Sequence, residues 1–376
     1  MDALAAATPQ LPWVVLGTPG SKRSRGLQAA RAALGLAPAR IVEWQDWLLA
    51  PDMLTAALQE PCHFKIEPPG DDPRVHLHLL HAGCDMLGRA RCDAPEHGEL
   101  LGADAWFEGF RAAMQRVDDT LSLCPQARPV NRPGDIVAMT DKLMCQQRLQ
   151  AHGVPTPRLL GRVDGHESLR ALLDAHDLDR IFLKARYGSS AAGVLAYRRN
   201  SRGGEQITSS ASLVSDGACE RVFNVKRMRR YDRGDEVRRV VDAIAKQGAY
   251  AETWLAKPRL GVNHFDLRVL ALDGRAAHQV ARIGASIMTN LHLDNKRADP
   301  ALLLDSLQLE RVTAAVERAA GVFAASRLIG FDLVVNGSSV HVLEANAFGD
   351  LLPGLLCQGH DTHAALAAAS ARGPAA

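Results

Sequence analysis

The stretch RIFLKARYGSSAAGVLAYRR, Arg180 to Arg199, sets the reading of this chain. An apolar run leads up to Lys184. Gly188, Ser189, Ser190, two alanines and Gly193 follow, and a second apolar run begins at once. The pattern is a strand, a loop of small side chains and a strand. A loop that cradles phosphate needs exposed backbone N–H groups and no bulky Cβ atoms in the way. A Walker loop would also end in Gly-Lys-Ser/Thr and open a helix. Here the lysine precedes the loop and a strand follows it, so the Walker class is excluded. Lys184, at the end of its strand, is placed to bring an ammonium to phosphates held by the loop. The same residues fit an ordinary hairpin with an edge lysine, and this stretch alone leaves both readings open.

Further along, GFDLVV and LEAN carry Asp332, Glu344 and Asn346. Side chains alternate along a strand, so Glu344 and Asn346 share a face. Asp332 stands in an otherwise apolar strand, where an unpaired carboxylate is costly. Hard oxygen donors of this kind suit Mg²⁺, which stays partly hydrated and shares phosphate oxygens. A solvent-facing aspartate beside a turn is the competing reading. The metal reading carries a geometric condition. A two-residue turn at Asn336-Gly337 sets Asp332 and Glu344 on opposite faces, whereas a three-residue turn, Gly337-Ser338-Ser339, sets them opposite each other. The arginines carry a similar condition. Arg268 and Arg282 stand on the two strands of FDLRVLALDGRAAHQVARIG. A regular turn at Asp273-Gly274 puts them on opposite faces, so both reach one site only through a bulge. Arginines beside a phosphate site neutralise charge as a phosphoryl group transfers.

The chain has 376 residues, which is long for one core. Its hydrophobic fraction of 47% and charged fraction of 23% are those of a globular protein. A net charge of +2 gives no global field for a polyanion, so no nucleic-acid partner is expected. The seven cysteines, without C-x-x-C spacing, read as reduced thiols of a cytoplasmic protein. No apolar run approaches the roughly 20 residues that cross a bilayer, so no membrane partner is expected. WVVLG, TPGSKRSRG, LQAARAALGLAP and RIVEW read as strand, loop, helix and strand, the βαβ sign of a parallel sheet. They place an α/β lobe over 1–130, with CPQARPVNRPGD as the link out of it. Lys22, Arg23 and Arg25 in the first loop fit a carboxylate site or a solvated basic loop equally. TDKLMCQQRLQAHGVPTP reads as a helix capped by Thr140 or Asp141 and closed by Gly153. RVFNVKRM and AYAETWLA read as strands, and ALLLDSLQLERVTAAVERAAGVFAA as the longest helix.

Taken in order, these elements resemble the ATP-grasp superfamily, and within it glutathione synthetase and the ligases that add glutamate to protein tails. The motifs that carry the resemblance are Asp141-Lys142, Lys184 with its Gly/Ser loop, ETWLAK, FDLRVLALDG, VARIG…TNL, GFDLVV and LEANAFGD. The resemblance implies an α+β fold of two subdomains, 131–252 and 253–376, with ATP between them. It implies that Lys142, Lys184, Gly188, Ser189, Ser190 and Gly193 hold ATP phosphates, under a flexible lid. Thr253, Trp254 and Leu255 would form the hinge whose backbone reads adenine, with Asp266 near the ribose or metal. Arg268, Arg282 and Asn290 would act on the transferring group or the substrate. Asp332, Glu344 and Asn346 would ligate Mg²⁺.

The implied activity is carboxylate–amine ligation through an acyl phosphate, with ATP and Mg²⁺ as cofactors. The carboxylate and amine stay open, on a small metabolite or on a peptide or protein tail. MTNLHLDNK departs from the glycine-rich segment of glutathione synthetase, which puts the acceptor in question. Two further classes remain: an ATP-binding regulatory or scaffold protein without turnover, and a phosphotransferase on the same fold.

Overall fold

A computed structural model describes residues 10–70, 72–188, 192–216, 219–289, 295–349 and 352–371, with only the backbone of residues 216, 219 and 371. Three sheets organise these residues. In the first, β1 (Trp13–Gly17), β2 (Arg40–Glu43), β3 (Cys62–Ile66) and β4 (Ala127–Pro129) run parallel in the order β2-β1-β3-β4. Every residue of β1 and β3 is buried, as the unbroken apolar run WVVLG requires of a strand covered on both faces. The helices α1 (Lys22–Ala33), α2 (Trp44–Leu49), α3 (Asp52–Ala57), α4 (Pro73–Met86) and α5 (Ala103–Leu123) make the crossovers. β4 falls inside the segment expected to be a link, so that link begins as the sheet's fourth strand. The longest helix is α5, at 21 residues, and not the stretch near residue 310. Gly109 in its middle counts against a helix by propensity, yet α4 lies so close that a Cβ there would stand 1.9 Å from the Leu79 carbonyl oxygen.

After α6 (Pro133–Thr140), the side chain of Asp141 accepts from the Met144 N–H at 3.1 Å and starts α7 (Lys142–Ala151). The second sheet then collects β5 (Leu159–Val163), β6 (Arg180–Ala185), β7 (Val194–Arg199), β8 (Glu205–Asp216), β9 (Cys219–Tyr231) and β10 (Ala249–Thr253). Its order is β5-β10-β6-β7-β8-β9, antiparallel throughout. Sequence reading passed over β8 because its serines break the apolar alternation. Ser209, Ser210 and Ser212 are nonetheless buried, and the Ser209 hydroxyl donates to the Val194 carbonyl at 2.7 Å. α8 (His166–Ala175) and α9 (Gly234–Ala245) cover one face with Leu169, Leu173, Val237, Val240 and Ile244.

The third sheet holds β11 (Arg259–Leu260), β12 (Asn263–Leu272), β13 (Arg275–Gly284), β14 (Lys296–Ala298), β15 (Leu328–Asn336) and β16 (Ser339–Asn346). The order is β14-β13-β12-β15-β16, with β11 on β12. α10 (Ser306–Val322) packs on it, and α11 (Thr362–Ala371) returns to α1, where Gly26 leaves room for the His363 ring. One hydrophobic core runs without a break from the first sheet (Leu16, Phe64) into the third (Leu267, Phe331, Val342). The second sheet has its own core. Among the described residues, no helix is long and apolar enough to cross a membrane.

Candidate functional site

Both geometric conditions are met, each by a bulge. The β15–β16 hairpin turns through Gly337-Ser338, flanked by the pair Asn336 and Ser339. That tip alone would place Asp332 opposite Leu343 and turn Glu344 to the other face. The register slips by one between Leu333 and Asp332, so Leu343 and Glu344 both stand against Asp332, and Glu344 is its partner. The expected three-residue turn is therefore corrected to a two-residue turn with a bulge. In β12–β13 the turn is Asp273-Gly274, with φ of +50° and +76°. A slip between Ala271 and Val269 then brings Asp266 opposite Arg282. Arg268, two residues from Asp266, shares that face and stands beside Asp332 across β12–β15.

One face of the third sheet thus carries Asp266, Arg268, Arg282, Asp332 and Glu344. Arg282 donates to both Asp266 oxygens, Nε at 2.8 Å and Nη2 at 2.9 Å, and its Nη2 lies 3.0 Å from Asp332 Oδ2. Arg268 pairs with Asp332 through Nε and donates from Nη2 to Oδ2 at 3.2 Å. Lys257 Nζ donates to Asp266 at 2.7 Å and to the Thr289 hydroxyl at 2.7 Å. Lys142 reaches across from α7, its Nζ 3.4 Å from Glu344 Oε2. On the second sheet, Lys184 Nζ sits 2.6 Å from Glu252 Oε1. Burial works to raise the Asp266 carboxyl, but Lys257 and Arg282 outweigh it and hold it well below the usual range. Glu344, half-buried, is likewise held low, by Lys142, Arg268 and Lys184 acting against burial. Asp332 and Glu252 move the other way, raised by burial against the pull of their cations. Burial lowers Lys257.

The charged groups form one end of a cleft between the second and third sheets. Phe182, Val194, Leu255, Ile287, Met288 and Val334 line the rest of it. The Trp254 ring packs on Phe182 with centroids 4.8 Å apart. Thr253 exchanges backbone and side-chain bonds with Arg158, its N–H donating to the Arg158 carbonyl at 2.9 Å. Of the three expected hinge residues, Leu255 lines the cleft, while the Thr253 N–H is committed to β5's approach. Gly188 and Gly193 bound the loop with φ of +123° and +70°, and a Cβ at Gly193 would meet that of Ala185 at 2.6 Å. The loop's first turn is anchored: Arg186 pairs with both Asp141 oxygens at 2.8 and 2.6 Å, and Tyr187 stacks on Phe107 of α5. Ser189, Ser190 and Asn290 lie outside the described residues.

Asp332 and Glu344 bring carboxylates together on one face, and Asn346 follows on the same strand. Its Nδ2 donates to the Gly330 carbonyl at 3.2 Å, which commits the nitrogen end of the amide. Among the described residues no group of three or more His, Cys, Asp or Glu is placed to hold a metal. Two carboxylates and an amide oxygen fit Mg²⁺ by donor chemistry. Sequence reading assigned no role to Glu252, Lys257 and Phe182. The first two stood in ETWLAK, but a sequence does not show which carboxylate a buried lysine meets.

No family model matches the chain, and no curated protein matches it. Solved structures do. The ATP-grasp ligase PsnB, complexed with precursor peptide PsnA2 and AMPPNP, aligns over 95% of this chain and 96% of its own, with a TM-score of 0.53 and 16% identity. Biotin carboxylase from Campylobacter jejuni, in a β,γ-ATP complex, aligns over 98% of this chain and 72% of its own, with a TM-score of 0.56 and 13% identity. N5-carboxyaminoimidazole synthase from Aspergillus clavatus, with ADP and 5-aminoimidazole ribonucleotide, aligns over 89% and 69%, with a TM-score of 0.50 and 11% identity. At such identities the likeness lies in the fold: a parallel N-terminal sheet, then two antiparallel sheets facing each other across a charged cleft. The chain shares the fold of these ATP-grasp structures.

Proposed function

We propose that the protein is an ATP- and Mg²⁺-dependent carboxylate–amine ligase. The observation that carries this is the gathering of Lys142, Lys184, Lys257, Arg268 and Arg282 around Asp332 and Glu344, at one end of a cleft whose other end is apolar. A triphosphate suits the charged end and a purine the apolar end. Asp332, Glu344 and Asn346 would hold Mg²⁺, which supplies charge neutralisation at the phosphates when bound. Lys142 and Lys184 would exchange their carboxylate partners for phosphate oxygens. Arg268 and Arg282, fixed by Asp332 and Asp266, would meet the charge of the transferring group without having to reorganise. The substrate carboxylate attacks the γ-phosphorus and releases ADP. An amine then attacks the acyl carbon and displaces phosphate, leaving an amide and a proton.

No covalent enzyme intermediate is needed. Cys145, the thiol next to Glu344, is buried and pushed up to about 12, a poor nucleophile. The cleft encloses about 80 Å³, below the roughly 300 Å³ at the lower end of ligand pockets. Nucleotide binding therefore needs the second sheet, with Lys184, to part from the third; α7, which carries Lys142, shares its core with the third sheet. The proposed units are 1–130, 131–252 and 253–376, one for each sheet, save that α6 and α7 share the core of the first and third sheets and α11 packs back on α1. The acceptor class is favoured as an acidic peptide by exposed Lys226, Arg227 and Arg229 on β9. PsnB, solved with its precursor peptide, is a precedent in the same fold.

The test is incubation with ATP, Mg²⁺, hydroxylamine and a panel of small acids and acidic peptides. Hydroxylamine stands in for the amine and converts an acyl phosphate to a hydroxamate. ADP and hydroxamate in equal amounts are expected with one acid class. ADP with a stable phosphorylated product would make the protein a phosphotransferase. Bound nucleotide with no ADP for any acid would make it a regulatory module.

A further inference from the structure

The N-terminal lobe reaches into the metal strand. After Asn346, β16 ends, and the carbonyls of Ala347, Phe348 and Gly349 have no ladder partner. All three are taken by side chains from the first lobe and its exit. Asn131, 5% exposed and just after β4, donates from Nδ2 to the Ala347 carbonyl and, at 2.7 Å, to the Leu328 carbonyl. Its Oδ1 accepts from the Leu328 N–H at 3.0 Å. One amide thus ties the start of β15 to the segment leaving β16, at the end of the hairpin where Gly330 pairs with Asn346. Arg23 of α1 donates from Nη1 to the Phe348 carbonyl at 2.9 Å and from Nη2 to the Gly349 carbonyl at 3.3 Å. Its guanidinium is itself held: Glu67 lies 3.4 Å away, and Lys65, buried beside it, lies 2.6 Å from Glu67. Lys22, Arg23 and Arg25, expected in the first loop, stand in the first turn of α1, and Arg23 is spent on backbone oxygens and Glu67.

We infer that Arg23 and Asn131 are positioning residues for the Mg²⁺ ligands. They fix the exit of β16 and so the placement of Glu344 and Asn346 against Asp332. The unbroken core from the first sheet into the third makes such a clamp rigid. The first lobe is then part of the metal site. Partners of this kind, outside the ligands themselves, set ligand orientation and hence metal affinity. The inference rests on the nucleotide-site reading above.

The test is titration of Mn²⁺, followed by the loss of its free-ion EPR signal, with AMPPNP at saturation, on the full chain. Arg23→Gln and Asn131→Ala should each weaken Mn²⁺ by about tenfold or more. Arg23→Lys, which keeps the charge but loses the two-pronged donor, should weaken it as well. The control is Arg221→Gln. Arg221 of β9 makes a comparable bridge to the first lobe, to both Glu99 oxygens and to Glu96, away from β16. It should lower the melting temperature and leave Mn²⁺ affinity unchanged. Folded Arg23 and Asn131 variants with wild-type Mn²⁺ affinity would overturn the inference, whatever their stability. Wild-type protein that binds no Mn²⁺ would bring down the nucleotide-site reading itself, and this inference with it.

Discussion

At the residue scale, the site is a balance of buried charges. Asp266 is fully enclosed by Lys257 and Arg282. Removing one partner of such a group strands the others, which costs about 3–5 kcal/mol. Asp266→Asn should therefore lower stability by that order at pH 7, read as a shift in the urea midpoint. The pH dependence fixes the sign. The folded Asp266 carboxyl titrates well below its unfolded value of about 3.9. Its contribution is fully present above the unfolded value and is lost as the pH falls from there through the lower, folded value. Glu252 acts oppositely, because its folded value is raised: its contribution is present at low pH and fades as the pH rises through that value. Comparing Asp266→Asn with wild type isolates the first effect, and the variant should lose less stability between pH 5 and pH 2. Equal acid limbs would mean that Asp266 is not held ionised. The residue types of this cluster were legible in the sequence, because Asp332 in an apolar strand and EAN on one face are unusual. The partners were not, since Lys257 meets Asp266 only through the fold.

At the element scale, two one-residue slips decide whether the site exists. Both were legible as conditions, because side-chain alternation forces the parity argument. Which solution the chain adopts was not, since a bulge depends on packing across the sheet. Leu343 shows this: it shares the face of Glu344 and lines the cleft, which a regular ladder forbids. Helix packing gives the sharper mutational contrast. Gly83 and Gly109 let α4 and α5 touch backbone to backbone, with a Cβ at Gly83 only 1.6 Å from the Ala105 oxygen. Gly109→Ala should destabilise by about 3 kcal/mol, as overpacking of a core does. Gly321, also helical, has open space where its Cβ would stand. Gly321→Ala should stabilise by about 0.5 kcal/mol. Thermal denaturation of the two variants checks both signs, and a neutral Gly109→Ala would mean the helices lie further apart.

At the scale of the whole molecule, two cores meet at a charged cleft. A protein with separate cores is not obliged to unfold in one step. Scanning calorimetry of the free protein should give a calorimetric enthalpy above the van't Hoff value. MgATP, which would bridge the cores, should draw the transitions together and add about 2.7 kcal/mol at a hundredfold excess over Kd. A single two-state transition without nucleotide would contradict the division. The βαβ start and the α+β remainder were legible from apolar runs and turns. The sharing of one core by the first and third sheets was not, because no local pattern records which distant sheet a face will meet.

The central claim is that Asp332, Glu344 and Asn346 hold a metal that brings ATP into the cleft. The most direct measurement is isothermal titration of ATP into wild type and Glu344→Ala, each with Mg²⁺ and with EDTA. The account expects a micromolar Kd for wild type with Mg²⁺, and loss of that binding in EDTA and in the folded variant. Well-folded wild type that takes up no ATP, or a Glu344→Ala protein that binds it equally well, would contradict the claim.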